Sequence, residues 1–276
     1  MFSKRILHHG ALLPSYKASC TLSNDCHVLT RRDSVSEFLS QMILSFLKIV
    51  FALFYTGFVS MLELIIIPFD RTGKTFHALA RFHAYGVLAV CGVKVNVEGL
   101  ERVDFTRNYI YVASHASFFD IPAVIHGIPD QIRIVYKKEL EVIPIWGWAL
   151  KLGKTYIAID RRKGVDAAQS LEEAANKMRH GASVILFAEG TRTPDGMLQP
   201  FKRGPFNLAV RAGVPIVPLA INGSYRILPK HSWHIMPGTI TLVLGAPIQP
   251  PAANGKESEL KLRDEVHNVI SQYYKQ

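Results

Sequence analysis

Cysteine is scarce in this chain. There are three in 276 residues, Cys20, Cys26 and Cys91, and no two form a CxxC pair. That spacing excludes a zinc-ribbon pattern and a disulfide framework. It suits a reducing compartment for the main domain. Other signatures are missing too. There is no GxSxG nucleophile elbow. The "GKT" at Gly73–Thr75 has Pro68 where a P-loop needs its first glycine, and no GxGxxG follows a strand-like segment. The sequence contains no repeat and no low-complexity linker. Residues 1–35 have no apolar core of the kind a signal peptide needs. They carry Lys4, Arg5, Lys17, Arg31 and Arg32 without periodicity. They read as a basic flexible tail, or as the product of a start codon placed too early.

Acidic residues are outnumbered. Lys and Arg total 32 against 22 Asp and Glu, a formal charge of +10. Such a balance calls for an anionic partner. The mean hydropathy is positive, which favours an acidic membrane surface or a phosphorylated small molecule and leaves nucleic acid unexpected. The length fits one domain with an appendage.

The appendage is visible as "MILSFLKIVFALFYTGFVSMLELIIIPF", Met42 to Phe69, broken only by Lys48 and Glu63. The full run is long enough to span a bilayer, with Lys48 snorkelling to one side. The stretch between Lys48 and Glu63 is short for a span, so a re-entrant or interfacial helix stays open. Pro68 ends or kinks the helix. A second apolar stretch, Phe76 to Gly92, is made amphipathic by His77, Arg81 and His83, and Gly92 reads as its stop. Two helices dipping into one leaflet would account for both. Basic residues flank the run on both sides, so orientation is open.

From residue 93 the pattern changes. "VKVNV", "YIYVAS", "IRIVYK", "TYIAID", "SVILFAE", "VPIVPLAI" and "TITLVLG" are short, apolar and β-branched or aromatic. Helical segments separate several of them, the clearest being 166–181, and residues 257–274 form a C-terminal amphipathic helix. The expected class is α/β, a mixed, largely parallel sheet flanked by helices, with membrane-embedded helices before it. The organisation is a tail over 1–35, a membrane-associated segment over 36–92 and an α/β domain over 93–276.

Two places invite chemistry. In "SHASFFD", Ser114 to Asp120, the His115–Asp120 spacing puts the two side chains about 140° apart on an ideal helix, where they cannot meet. Pro122 is comfortable only in a first helical turn. Ser117 or Asp120 therefore serves as N-cap, and His115 lies in the loop before it, after the strand "YIYVA". There the carboxylate can fold back onto the imidazole and make a general base with an orienting partner. A serine nucleophile, Ser114 or Ser117, is not excluded by spacing. The second place is "FAEGTRT", Phe187 to Thr193. Gly190 permits a tight turn, Thr191 can donate, and Arg192 can grip phosphate bidentately; Glu189 can hold Arg192 or a substrate hydroxyl. Lys137, Lys138, Arg161, Arg162, Lys202 and Arg203 follow successive strands, and some of them could converge on one anion. Trp146 and Trp148 either line an apolar channel or fill core.

Together "HASFFD", "KKELEVIPIWGW…IAIDR", "FAEGTRT…FKRG" and "VPIVPLAI", in this order over 115–221, resemble the glycerolipid acyltransferase family that includes 1-acyl-glycerol-3-phosphate acyltransferases. Two positions depart from its usual pattern: Ser114 where Asn is common, and Ala188 where Pro is common. The resemblance implies His115 as base and Asp120 as its partner. It implies Glu189, Gly190, Thr191 and Arg192 at the acceptor's phosphate, with Arg161 and Lys137 as further candidates. It implies a membrane protein whose catalytic domain faces the cytosol, and neither metal nor cofactor. Acyl-CoA or acyl carrier protein would be the donor, and membrane-borne lysophosphatidic acid the acceptor, giving phosphatidic acid. Other acceptors are a lyso-ornithine lipid, another lysophospholipid or glycerol 3-phosphate. A non-catalytic lipid-binding protein is the reading from another class.

Overall fold

The computed structural model describes residues 31–153, 156–159, 182–252 and 255–276. Residues 1–30, the expected helix over 166–181 and Arg161 lie outside them. The chain divides into two compact units, Met1–Leu39 and Ser40–Gln276. Of the first, the described part is the opening of helix α1 (Arg31–Ile66). The rest of α1 and all later elements belong to the second.

Helix α1 is 36 residues long, and its Ser36–Ile66 portion is long and apolar enough to cross a membrane. It stops two residues before Pro68, whose ring disfavours helix in the residue preceding it. Leu53, Phe54, Phe58 and Ile65 are each more than half exposed. Lys48 does not snorkel to one side. It is buried, and its Nζ donates to the Cys91 carbonyl at 3.4 Å. That oxygen ends helix α2 (Lys74–Cys91), where the helix dipole favours a cation. Gly92 stops α2 in the left-handed conformation, φ 70°, with its N–H on the Ala89 and Leu88 carbonyls.

One face of helix α2 packs on the sheet domain, while Phe82, Tyr85 and Val90 on its other side are exposed. Its Ala80, Ala84, Leu88 and Cys91 stripe is buried in the main hydrophobic core. Two of its basic residues are ties to the sheet domain: Arg81 donates to the Ile128 and His126 carbonyls at 2.6 and 2.9 Å, and His77 Nε2 lies 3.1 Å from the Asp130 carbonyl. A guanidinium is well placed there, since those carbonyls close helix α3 (Asp120–Gly127).

Among the described residues the sheet has seven strands: β1 (Val93–Glu98), β2 (Ile110–Ala113), β3 (Ile132–Lys137), β4 (Ile157–Ile159), β5 (Ser183–Phe187), β6 (Ile216–Asn222) and β7 (Gly238–Leu244). Their order is β1-β7-β6-β2-β5-β3-β4. Every pair is parallel except β6 with β7. All seven segments read as strands in the sequence are strands, so the expected mixed, largely parallel α/β class holds. Strand β2 is central and buried throughout, as a strand covered on both faces must be. Its alternate residues sort cleanly: Tyr109, Tyr111 and Ala113 join the core under α2 and α3, while Ile110 and Val112 join a second core. Helices α5 (Gly204–Ala212) and α7 (Lys256–Tyr273) close that second face. The described residues also include two short helices, α4 (Trp146–Gly153) and α6 (Ser224–Ile227). Register sets up the site. Ala113 of β2 pairs with Phe187 of β5, so His115 and Glu189, each two residues further on, leave the sheet side by side.

Candidate active site

The loop between β2 and α3 carries the first motif. Asp120 is the first residue of α3, and Phe119, not Ser117 or Asp120, occupies the cap position. The carboxylate is engaged elsewhere, which explains the shift. Its Oδ2 lies 2.8 Å from His115 Nδ1 and accepts the Ala116 and Ser117 N–H groups at 2.8 and 2.9 Å. Asp120 is fully buried, whereas the His115 side chain keeps 16% of its surface exposed. An acceptor oxygen opposite Nδ1 assigns the ring proton to Nδ1 and leaves the lone pair on Nε2. The ring also stacks on Phe187, centroids 4.1 Å apart. It is thus fixed on one edge and one face. This is the arrangement of a general base with an orienting carboxylate.

The two serines are occupied. Ser114 is buried and its hydroxyl accepts the Ile221 N–H at 3.0 Å. Ser117 is buried and donates to the Leu228 carbonyl at 2.9 Å. Neither is presented as a nucleophile.

The second motif leaves β5 beside the first. Glu189, expected at the acceptor's phosphate, turns inward instead. It is buried, and its two oxygens accept the His115 N–H at 2.6 Å and the Gln199 N–H at 3.1 Å. Burial raises its pKa from 4.5 to about 7; the Asp120 and Asp195 charges add to the rise, and the two backbone bonds oppose it. Gly190 makes the turn at φ 72°, and its N–H is taken by the Phe187 carbonyl at 3.0 Å. A Cβ there would meet the end of the Lys202 side chain, Nζ at 2.8 Å, and push it aside; the left-handed backbone is what favours glycine. The Thr191 hydroxyl is exposed and lies 3.4 Å from Lys230 Nζ. The Arg192 guanidinium sits over the Phe118 ring, 3.6 Å from its centroid. The Thr193 N–H closes the site by donating to the His115 carbonyl at 2.8 Å.

Of the remaining basic candidates, Lys202 lies beside Gly190, and Arg161 and Arg162 are outside the described residues. Lys137 lies 3.4 Å from Glu139 and does not line the groove described next. Arg203 lies 2.8 Å from Glu259 of α7. Sequence reasoning gave Phe187 and Thr193 no role of their own within the second motif and did not reach Gln199 and Lys230. Strand register alone could have signalled the first.

An apolar groove of about 1310 Å³ runs from α1 to this site. Leu53, Phe54, Gly57 and Phe58 of α1 form one side, and Ile143–Trp146, Phe118, Phe119 and Trp233 form others; Arg192 lines it as well. Trp146 therefore lines a channel, whereas Trp148 is half exposed and does not. Among the described residues, Ile145 (φ 66°) and His231 (φ 68°) are the non-glycine positions with left-handed backbone, and both face the groove. Such strain costs about 1–3 kcal/mol per residue and persists where surrounding structure imposes it. No group of three or more His, Cys, Asp and Glu among the described residues is arranged to hold a metal ion.

A family model described as Acyltransferase matches residues 94–222, which hold both motifs. A 1-acyl-sn-glycerol-3-phosphate acyltransferase of Pseudomonas aeruginosa is 34% identical over 205 residues, covering 74% of this chain and 78% of that protein. A chloroplastic 1-acyl-sn-glycerol-3-phosphate acyltransferase of Brassica napus is 32% identical over 211 residues, covering 75% of this chain but only 58% of the plant protein. In structure, the chain is similar to the 1-acyl-sn-glycerophosphate acyltransferase PlsC of Thermotoga maritima. The TM-score is 0.71 at 28% identity, over 85% of this chain and 94% of that one. On the bacterial match in particular, the chain belongs to the acyltransferase family that contains the 1-acyl-sn-glycerol-3-phosphate acyltransferases.

Proposed function

We propose that this protein transfers a fatty acyl group from an acyl thioester to the free hydroxyl of lysophosphatidic acid, giving phosphatidic acid. The observation that carries the proposal is a coincidence at the C-terminal ends of the central strands β2 and β5. A His115–Asp120 pair at 2.8 Å stands near an arginine that lines an apolar groove. An acceptor with a hydroxyl, an anion and an acyl chain needs each of these. The names of the relatives in Pseudomonas aeruginosa and Brassica napus support the same acceptor.

His115 Nε2 takes the proton of the acceptor hydroxyl as oxygen attacks the thioester carbonyl. Asp120 holds the Nδ1 proton and stabilises the imidazolium. That proton then goes to the departing thiolate. A thioester is already activated, so positioning and one base suffice. Arg192, with Thr191 and Lys230, receives the acceptor's phosphate, since a guanidinium matches it bidentately. Glu189 and Gly190 shape the loop that presents them. The groove takes an acyl chain. The donor is acyl-CoA or acyl carrier protein. The protein is held at a membrane by α1, whose exposed apolar side lipid would cover, with the site on the cytosolic side where such donors are found.

The test is an acyl-transfer assay on the detergent-solubilised chain with a panel of lysolipids and both donor types. Phosphatidic acid is the expected product from lysophosphatidic acid. Acylation of another acceptor but not this one overturns the acceptor assignment. Full activity in His115→Ala overturns the mechanism.

A further inference from the structure

We infer that Phe118 is a positioning residue for the acceptor's anion, acting through Arg192; the inference rests on the proposed role of Arg192 at the phosphate. The ring is oddly placed for ordinary packing. Phe118 is 62% exposed while its neighbour Phe119 is buried. The backbone around it is clamped. The Ser117 N–H is held by Asp120, the Ser117 hydroxyl by the Leu228 carbonyl, and the Phe119 N–H lies 3.3 Å from Ser117 Oγ. A loop fixed on both sides of Phe118 fixes where the ring stands. The guanidinium carbon of Arg192 then lies 3.6 Å from the ring centroid.

The chemistry of this stack is specific. An arginine held by a ring uses one flat face and keeps its N–H edges free. A phosphate is gripped through those edges. Stacking therefore orients the guanidinium without competing with the ligand, as a salt bridge to a carboxylate would. It also limits the rotamers of a long side chain, so less entropy is lost when the anion arrives. Phe118 and Arg192 both line the groove, so the ring stands where the apolar part of a lysolipid gives way to its charged head. Because Asp120 clamps the same turn, one carboxylate sets both the imidazole and the platform of the arginine. The base and the anion grip are thereby held in one frame.

The experiment is steady-state kinetics of the full chain in detergent with lysophosphatidic acid and with a phosphate-free monoacylglycerol. Phe118→Leu keeps an apolar side chain but has no face to stack on. It is expected to raise KM for lysophosphatidic acid about three- to tenfold, with kcat within about twofold. Phe118→Trp restores the KM. In an Arg192→Ala background, Phe118→Leu adds nothing further. The KM for monoacylglycerol changes by clearly less than that for lysophosphatidic acid throughout. Equal losses for both acceptors, or a loss that persists at full size without Arg192, overturn the inference and leave the ring a groove wall. If Phe118→Leu is silent while Arg192→Ala raises KM, the inference alone fails. An Arg192→Ala variant with wild-type KM removes the phosphate role itself and the inference with it.

Discussion

The His115 backbone N–H donates to Glu189 Oε1 at 2.6 Å. This single bond joins the two motifs: the loop that carries the base is braced by the first residue of the EGTR segment. The second oxygen of Glu189 accepts the Gln199 N–H at 3.1 Å, so one buried carboxylate links three stretches of chain. Ionising it inside the protein is costly.

That cost is measurable as a dependence of stability on pH. The folded pKa of Glu189 is raised from 4.5 to about 7, chiefly by burial. Between these values the folded state holds the proton more tightly than the unfolded chain. The contribution of Glu189 is therefore fully present below about pH 4.5 and falls away as pH rises to about 7, by an amount on the order of 2 to 3 kcal/mol. Glu189→Gln carries no charge in this window. Denaturation of both proteins across the range should show wild type losing stability relative to the variant as pH rises. A constant difference would mean that the carboxylate is solvated like a surface group.

The sheet was readable because each strand is a short apolar run bounded by turns, and that signal is local. Pro122 and the strand before it likewise told that His115 and Asp120 meet across a loop. The role of Glu189 was not readable, because it depends on which strand lies beside β2, and the β2–β5 pairing joins Ala113 to Phe187 across a long stretch of sequence. Lys48 and Arg81 misled for a related reason. Each looked like a boundary or a solvent-facing charge, yet each binds a helix-ending carbonyl supplied by another element. Ser114 gains its reason only in three dimensions, where its hydroxyl accepts the Ile221 N–H of the neighbouring strand β6. A short polar side chain with an acceptor meets that demand, as asparagine would.

Asp120→Asn tests the pairing directly. The amide can still accept the Ala116 and Ser117 N–H groups, so the loop keeps its shape. It brings no negative charge to the imidazolium. We expect kcat to fall about 10²- to 10⁴-fold with little change in either KM. Steady-state kinetics with varied donor and acceptor separates the two. A fall of less than about threefold would show that the carboxylate serves only the backbone turn.

Arg192→Lys keeps the charge and removes the planar fork. Lysine can neither stack flat on Phe118 nor bind phosphate bidentately. The expected change is a rise in KM for lysophosphatidic acid of about tenfold or more, with kcat nearly constant. The matching control is a monoacylglycerol acceptor, whose KM should change by clearly less. A similar rise for both acceptors would place the effect in the groove and not at an anion.

The groove offers a test that spares the chemistry. Gly57 of α1 lines it, and a Cβ built there meets nothing within 4 Å. A larger side chain at this position therefore enters open groove space and not packed core. Leucine is also a better helix former than glycine, by about 0.8 kcal/mol, so α1 should tolerate it. Gly57→Leu shortens the room for a hydrocarbon chain while His115, Asp120 and Arg192 stay as they are. Competition between donors of different chain length, scored by product, should then shift toward shorter chains. The rate with a short-chain donor should remain near that of wild type. An unchanged preference would show that neither substrate's chain passes Gly57, and would confine the acyl site to the walls built by Ile143–Trp146 and Trp233.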